Sequence, residues 1–463
     1  MPKLARPQNP MLPSACAKRR YIRSPTTQKE ARIMLTVQRG PKIAEGKTKI
    51  LYCEEGRPGR VDIEQKDDIT AGDGKKHDIL SGKGAAANQT AVNIFKLLQS
   101  NPMIPVAFRG QSSATSFAAP LCEMLPLEVV VRRRNFGSFG QRNPHVPEMT
   151  VFPRLVLEFF LKTKGKQWNG MGLPEDDPYI RFSSDGMMNL YHPKKPLGSD
   201  WATGELSVPE IITSKRLDEI RHVTPYLFLI LEKAFFLADG LELIDFKLEF
   251  GIGPDKRLYL ADVVTPDEVR LLKDGRHESK EFYRRNGQLD KVLEIYQRVA
   301  RATERFPDAP PQTVILWRGS TKDDFTPFAD ALKSGAVPGL AMIPVTCSMH
   351  KEAERGCRLL AKAIQEHPDA VVIAYVGRSN GAGPTLAAHT HAPVITVPAG
   401  WERFPEDVWS SLRAPSDVPV MTCLTPANAV LAALNIFAMK NPFVYAAVRS
   451  KLEARLTNTI EIA

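Results

Sequence analysis

LIDFKLEFGIGPDKRLYLADVVTPDEVR, residues Leu243 to Arg270, decides how the rest of the chain is read. Ile244, Phe246, Leu248 and Phe250 alternate with Asp245, Lys247 and Glu249, so a β-strand here buries one face and gathers three charges on the other. Gly253-Pro254-Asp255-Lys256 is a turn signal, and Leu258-Tyr259-Leu260-Ala261 reads as the returning strand of a hairpin. Glu249 and Asp262 then stand opposite or diagonal to each other, with Lys247 on the same face. Two close carboxylates repel unless a cation lies between them, and hard oxygen ligands suit Mg²⁺ carrying nucleotide phosphates. A solvated strand face with cross-strand Lys and Glu pairs explains the alternation equally well, and the stretch alone leaves the two readings even.

Upstream, Lys42 to Tyr52 reads as two short strands joined at Gly46, with Lys47 and Lys49 alternating onto one face like a phosphate cradle. Lys66 to Lys76 is a strand end followed by a glycine-rich loop that contains Asp73, and Gly84 to Gln99 has helical spacing. Glu128 to Val131 reads as a buried strand that delivers Arg132, Arg133 and Arg134 to its end, with Gly137-Ser138 close behind. Successive arginines on a strand cannot all face one way. At least one is therefore structural or solvated, and the others suit bidentate capture of carboxylate or phosphate. The polar, Gly- and Pro-rich region 164–207 reads as a long loop or insertion, and 208–239 as helix.

Phe306-Pro307-Asp308-Ala309-Pro310-Pro311 is the clearest linker. Beyond it, strands at Val314–Trp317, Leu340–Val345, Val371–Val376 and Val394–Val397 alternate with helices from Asp324, from His350 and near Pro384. That alternation predicts a parallel sheet covered by helices, with ligands at the carboxyl ends of its strands. The loops there, around Ser320, Ser348 to Lys351 and Arg378 to Asn380, suit a phosphorylated metabolite.

Composition limits the function classes. At 463 residues, two domains with separate cores are expected: 41–305 and 313–463, joined by a linker at 306–312. The net charge of +10 comes without a basic-aromatic nucleic-acid module, so anionic small molecules account for it and no nucleic-acid partner is expected. The most apolar segments, near Tyr226–Leu237 and Ala429–Met439, are too short to span a bilayer, and no membrane partner is expected. Cys16, Cys53, Cys122, Cys347, Cys357 and Cys423 are scattered, as reduced thiols of an intracellular, cytoplasmic protein would be. Residues 1–40 form a basic arm, read as disordered or as an extension ahead of Met34, with an organellar address as the lesser alternative.

EGKTK, KDDITAGDG, CEMLPLEVVVRR with GSF, LIDFKLEFG and LADVVTPDEVR, in this order, resemble the SAICAR synthetase family of purine biosynthesis. GST, SMHK, GRSNGAGP and DVWSSLR, beyond the linker, resemble the AIR carboxylase family, and the fusion order resembles that of the bifunctional animal enzymes. The resemblance implies an α+β, ATP-grasp-like synthetase domain followed by an α/β three-layer domain of flavodoxin- or Rossmann-like type. It implies carboxylation of aminoimidazole ribotide (AIR) by CO₂ to carboxyaminoimidazole ribotide (CAIR), without biotin or metal. It further implies ATP- and Mg²⁺-dependent joining of CAIR to L-aspartate.

Carried over residue by residue, Glu249 and Asp262 hold Mg²⁺, Lys47, Lys49 and Lys247 act on ATP phosphates, and Met124 belongs to the adenine-contacting segment. Asp73, Arg132, Ser138, Lys162, Asp267 and Arg270 bind substrate. In the second domain Ser320, Asp323, Ser348, Arg378, Ser379 and Asn380 bind the ribotide while His350 and Lys351 manage proton transfer. Family members also assemble as homo-oligomers, commonly octamers, through the carboxylase domain. The chain departs from the family pattern at Met349, Ala388-His389, Ala427 and Ser279, and a Trp expected shortly after Arg270 is missing. His389 and His391 read as structural. These departures leave as one alternative an active synthetase with a weak or non-catalytic carboxylase-like domain kept for assembly; because fold does not fix function, an inactive nucleotide-binding protein is another.

Overall fold

The computed structural model describes residues 34–72, 75–163, 167–168, 171–172, 177–183, 186–197, 202–285, 287–307, 311–333, 337, 339–377 and 381–457. Residues 1–33, Asp73, Arg378, Ser379 and Asn380 lie outside these.

The stretch at Leu243 is the central strand, Glu242–Ile252, of a nine-stranded antiparallel sheet. On one side it pairs with Glu123–Arg134, which pairs in turn with Val151–Leu161. On the other side it pairs with Val269–Lys273 and, past the turn, with Leu258–Leu260. Phe246, Leu248 and Phe250 are buried in the main core beneath the long helix Ser214–Asp239, where Phe228 and Phe246 pack with ring centroids 5.1 Å apart. That helix begins at Thr213, whose side chain accepts from Arg216 N, and ends at Gly240 in the left-handed conformation.

The predicted alternation fails at one position. A register shift between Leu243 and Asp245 puts Leu243 into the main core, and Ile244 joins a separate cluster with Phe136 and Leu272. The arginines stand at a strand end as expected, being the last three residues of Glu123–Arg134.

The reading of 164–207 as a loop is corrected. Tyr179–Phe182, Met187–Tyr191 and Ala202–Ser207 extend the sheet outward, because Ile180, Met188 and Leu190 bury themselves against the core. Sparse apolar residues at period two were enough to build strands where the bulk composition is polar.

A second antiparallel sheet, in the order Arg39–Glu45, Lys49–Glu54, Arg60–Gln65, Ser116–Pro120 and Gly110–Gln111, packs against helix Lys83–Gln99. Lys49 of this sheet reaches Asp262 of the central hairpin.

After Phe306, which packs edge-on against Phe235 of the first domain, the chain forms a five-stranded parallel sheet. Its order is Leu340–Thr346, Gln312–Arg318, Val371–Gly377, Val394–Ala399 and Val420–Thr422. Two helices begin later than expected, at Thr326 and Ala353. The last helix, Pro442–Glu453, packs between the two domains, with Val444 in this domain's core and Phe443 and Ala446 in the first domain's core.

Candidate active site

The charged face of the central strand carries a row of ion pairs. Lys247 Nζ lies 2.9 Å from Glu128 Oε2 on the neighbouring strand, and Lys162 Nζ lies 2.5 Å from Glu249 Oε1. Lys49 pairs with Asp262. Glu249 and Asp262 are held together by the backbone, where Ala261 N and Asp262 N both donate to Glu249 O, at 3.1 and 3.4 Å. The attraction of Glu128 raises the Lys247 ammonium above its ordinary range despite burial, whereas burial lowers that of Lys49. Met124 is exposed at the sheet margin opposite Gly251, and Lys47 is exposed at the turn between the first two strands.

Next to this row is a small cavity of about 120 Å³ lined by Arg132, Ser138, Asp245, Asp267, Glu268 and Arg270. Arg132 donates to Glu158 at 2.5 Å, Asp245 at 2.8 Å and Ser138 at 3.1 Å, while Arg270 reaches Asp245 at 2.7 Å. Gly137, with φ +63°, brings its loop so close to Arg270 that an added Cβ would lie 3.3 Å from both terminal nitrogens. Burial pushes the Asp267 carboxyl up, but Lys83 at 2.9 Å and Lys280 at 3.0 Å outweigh it and hold the group well below the carboxylate range. Beside it, burial and the Asp267 charge raise Glu268.

Asp245, Glu128, Glu158, Glu268, Lys83 and Lys280 were all missed from the sequence. The charge alternation does place Asp245 on the face of Lys247 and Glu249, so that residue was legible; the others find their partners only through the fold. Ser279, at the family's Asp position, is buried, and its Oγ accepts from Glu281 N at 3.4 Å.

The donor set fits Mg²⁺. Two adjacent carboxylates presently offset by lysine ammoniums can exchange those partners for a metal and phosphates. Among the described residues no group of three or more His, Cys, Asp or Glu is placed to hold a metal, so the remaining coordination would come from nucleotide oxygens and water.

In the second domain a cavity of about 370 Å³ opens at the carboxyl ends of the parallel strands, lined by Gly319, Ser320, Asp323, Ser348, His350 and Lys351 among others. Asp323 Oδ2 accepts from Ser320 N at 3.0 Å, and buried Trp317 donates from Nε1 to Cys347 O at 2.9 Å, which fixes the base of the His350 loop. Met349 is 5% exposed and packs into the core beneath that loop. Room is made by Gly356, where a Cβ would lie 2.3 Å from Met349 Sδ. The departure from the family pattern is thus absorbed by the core rather than by the cavity alone. His389 bonds Thr385 O through Nδ1 at 2.7 Å.

Fold and site together give two domains, with a face of lysine–carboxylate ion pairs beside an arginine-lined cavity in one and a pocket at the strand ends of a parallel sheet in the other. The SAICAR synthetase family model matches residues 42–171 and 191–303, and the AIR carboxylase model matches 313–458. The bifunctional phosphoribosylaminoimidazole carboxylase/phosphoribosylaminoimidazole succinocarboxamide synthetase of Mus musculus is 33% identical over 444 residues, covering 92% of this chain and 95% of its own length. The Homo sapiens protein of the same name is 33% identical over 439 residues, covering 91% and 94%. A crystal structure of the succinocarboxamide synthase from Ehrlichia chaffeensis is matched at a TM-score of 0.47 and 27% identity, covering 58% of this chain and 100% of that one. The chain belongs to the bifunctional carboxylase/succinocarboxamide synthetase family.

Proposed function

We propose that this chain catalyses two consecutive steps of de novo purine synthesis. The second domain carboxylates AIR with CO₂ to give CAIR, and the first joins CAIR to L-aspartate with conversion of ATP to ADP and phosphate. The observation that carries the reading is the row of Lys247–Glu128, Lys162–Glu249 and Lys49–Asp262 pairs beside the arginine-lined cavity. Exchangeable cations and carboxylates beside two cavity-lining arginines support the reading.

In the synthetase step a CAIR carboxylate oxygen attacks the γ-phosphorus of ATP and ADP leaves. The aspartate nitrogen then attacks the acyl carbon, losing a proton as phosphate departs. Lys247, Lys49 and Lys47 stabilise charge on the transferring phosphoryl group, and Arg132, Ser138, Asp267, Arg270 and Lys162 orient the substrates. Mg²⁺ held by Glu249 and Asp262 would supply further charge neutralisation at the phosphates. Met124 borders the adenine, and Asp73 is assigned to substrate binding.

In the carboxylase step the AIR ring carbon forms a bond to CO₂ and releases its proton. His350 accepts that proton while Lys351 offsets carboxylate charge, and Ser320, Asp323, Ser348, Arg378, Ser379 and Asn380 hold the ribotide. Met349 packs into the core and also borders the cavity, which still measures about 370 Å³; that room supports an active carboxylase over a purely scaffolding role.

We further place the protein in the cytoplasm as a homo-oligomer, an octamer, built through the second domain. Five free thiols among the described residues support the first point, and the half-exposed edge strand Leu340–Thr346 with exposed Leu424, Leu431 and Met439 supports the second. No helix of the described residues is long and apolar enough to cross a membrane. Separate assays of the two half-reactions test the catalytic reading, and light scattering tests the assembly.

A further inference from the structure

We infer that Glu453, on the last helix of the second domain, is a positioning residue for the synthetase site of the first. This rests on the reading of Arg132 as a substrate-holding group. Neighbouring residues of a strand face opposite ways, so Arg132 lines the substrate cavity while Arg133 points behind the sheet. There Arg133 Nη2 meets Glu453 Oε1 at 2.6 Å, and its Nε and Nη2 reach Glu232 at 2.7 and 3.2 Å. Arg133 and Glu453 are both buried.

The strand ladder is interrupted at this point. Arg132 stands opposite Val156 but Arg134 stands opposite Val151, so residues 152–155 leave the pairing across from Arg133. Backbone groups freed in this way need other partners. Leu155 N donates to Glu453 Oε2 at 2.9 Å, Phe152 O accepts from Arg133 at 3.0 Å, and Pro153 O accepts from Arg449 at 3.1 Å. Arg449 in turn donates to Glu453 Oε1 at 2.7 Å. Two residues of the carboxylase-like domain therefore close a bulge directly behind the substrate arginine. The Phe443 and Ala446 side chains anchor the helix that carries them in the synthetase core.

The test uses the full-length chain with Glu453→Ala and Glu453→Gln. Glu453→Ala should raise the synthetase KM for CAIR about tenfold, leaving the KM for ATP and the carboxylase turnover within about twofold of wild type. Glu453→Gln, which keeps an oxygen for Leu155 N, should show a smaller rise in the same constant, and it decides the matter if the alanine variant fails to fold. An unchanged CAIR KM in the glutamine variant, or an equal loss in both half-reactions, overturns the inference. Amide hydrogen exchange on the ligand-free protein reads the same displacement without turnover. Faster exchange across Val129–Arg134 in either variant is expected, and unchanged exchange there overturns the inference. An inactive wild type whose variants show that faster exchange counts against the proposed function alone.

Discussion

Asp245 accepts from Arg132 at 2.8 Å and from Arg270 at 2.7 Å through the same oxygen, Oδ2. One carboxylate on the central strand thus sets the spacing of two arginines on the strands to either side. Burial disfavours the Arg132 guanidinium, but Glu158 and Asp245 outweigh it and raise its pKa. Without Asp245, Arg132 keeps Glu158 and Arg270 keeps Glu281, but each loses one charged partner. Asp245→Asn should lower unfolding free energy by about 1–3 kcal/mol, read as a lower denaturant midpoint, and weaken CAIR binding.

Gly356 and Met349 form a complementary pair in the second domain. Gly356→Ala sets a methyl group against Met349 Sδ and should cost about 1–3 kcal/mol, with reduced carboxylase turnover and normal synthetase turnover. Met349→Ala in the same background should recover part of the loss. Equal damage to both half-reactions would contradict this assignment.

Asp267 and Glu268 should give opposite pH dependences. Lys83 and Lys280 hold Asp267 below its ordinary value of 3.8, so its stabilisation is present above that value and is lost as pH falls through the folded pKa. Glu268 is raised from 4.5, so it favours the folded state less as pH climbs from that value through the folded pKa. Asp267→Asn should therefore flatten the acid limb of a stability–pH curve, and Glu268→Gln should raise the denaturant midpoint at neutral pH.

Glu249→Gln should reduce synthetase turnover by about a hundredfold or more without altering the fold, and Lys247→Met should act similarly. Chelation of divalent metal should stop the synthetase and spare the carboxylase. Circular dichroism and the carboxylase assay serve as controls.

Much of the fold was legible because it rests on period. The alternation from Phe246 to Phe250 and the strand–helix grammar after residue 311 both appear as expected. Where the reading failed, a local or tertiary effect was responsible. A bulge moved Ile244 to another cluster, and a few buried residues at Ile180, Met188 and Leu190 turned a polar segment into strands. In the site, Lys247, Glu249 and Asp262 were readable from one hairpin and Lys162 from the family resemblance, but Glu128, on a strand far away in sequence, was not. Lys83, Lys280 and Tyr296 converge on Asp267 from three separate segments, and no spacing rule announces that meeting. The role of Met349 depended on a glycine seven positions later, across a loop and a helix turn.

The central claim is that both steps are carried by this one chain. Its most direct test supplies purified protein with AIR, bicarbonate, ATP, Mg²⁺ and aspartate and follows the succinocarboxamide product, with a parallel reaction started from CAIR. Product from both starting points, dependent on ATP and lost in Glu249→Gln, is the predicted result. No product from CAIR would contradict the account outright, and product from CAIR but none from AIR would confine it to the first domain.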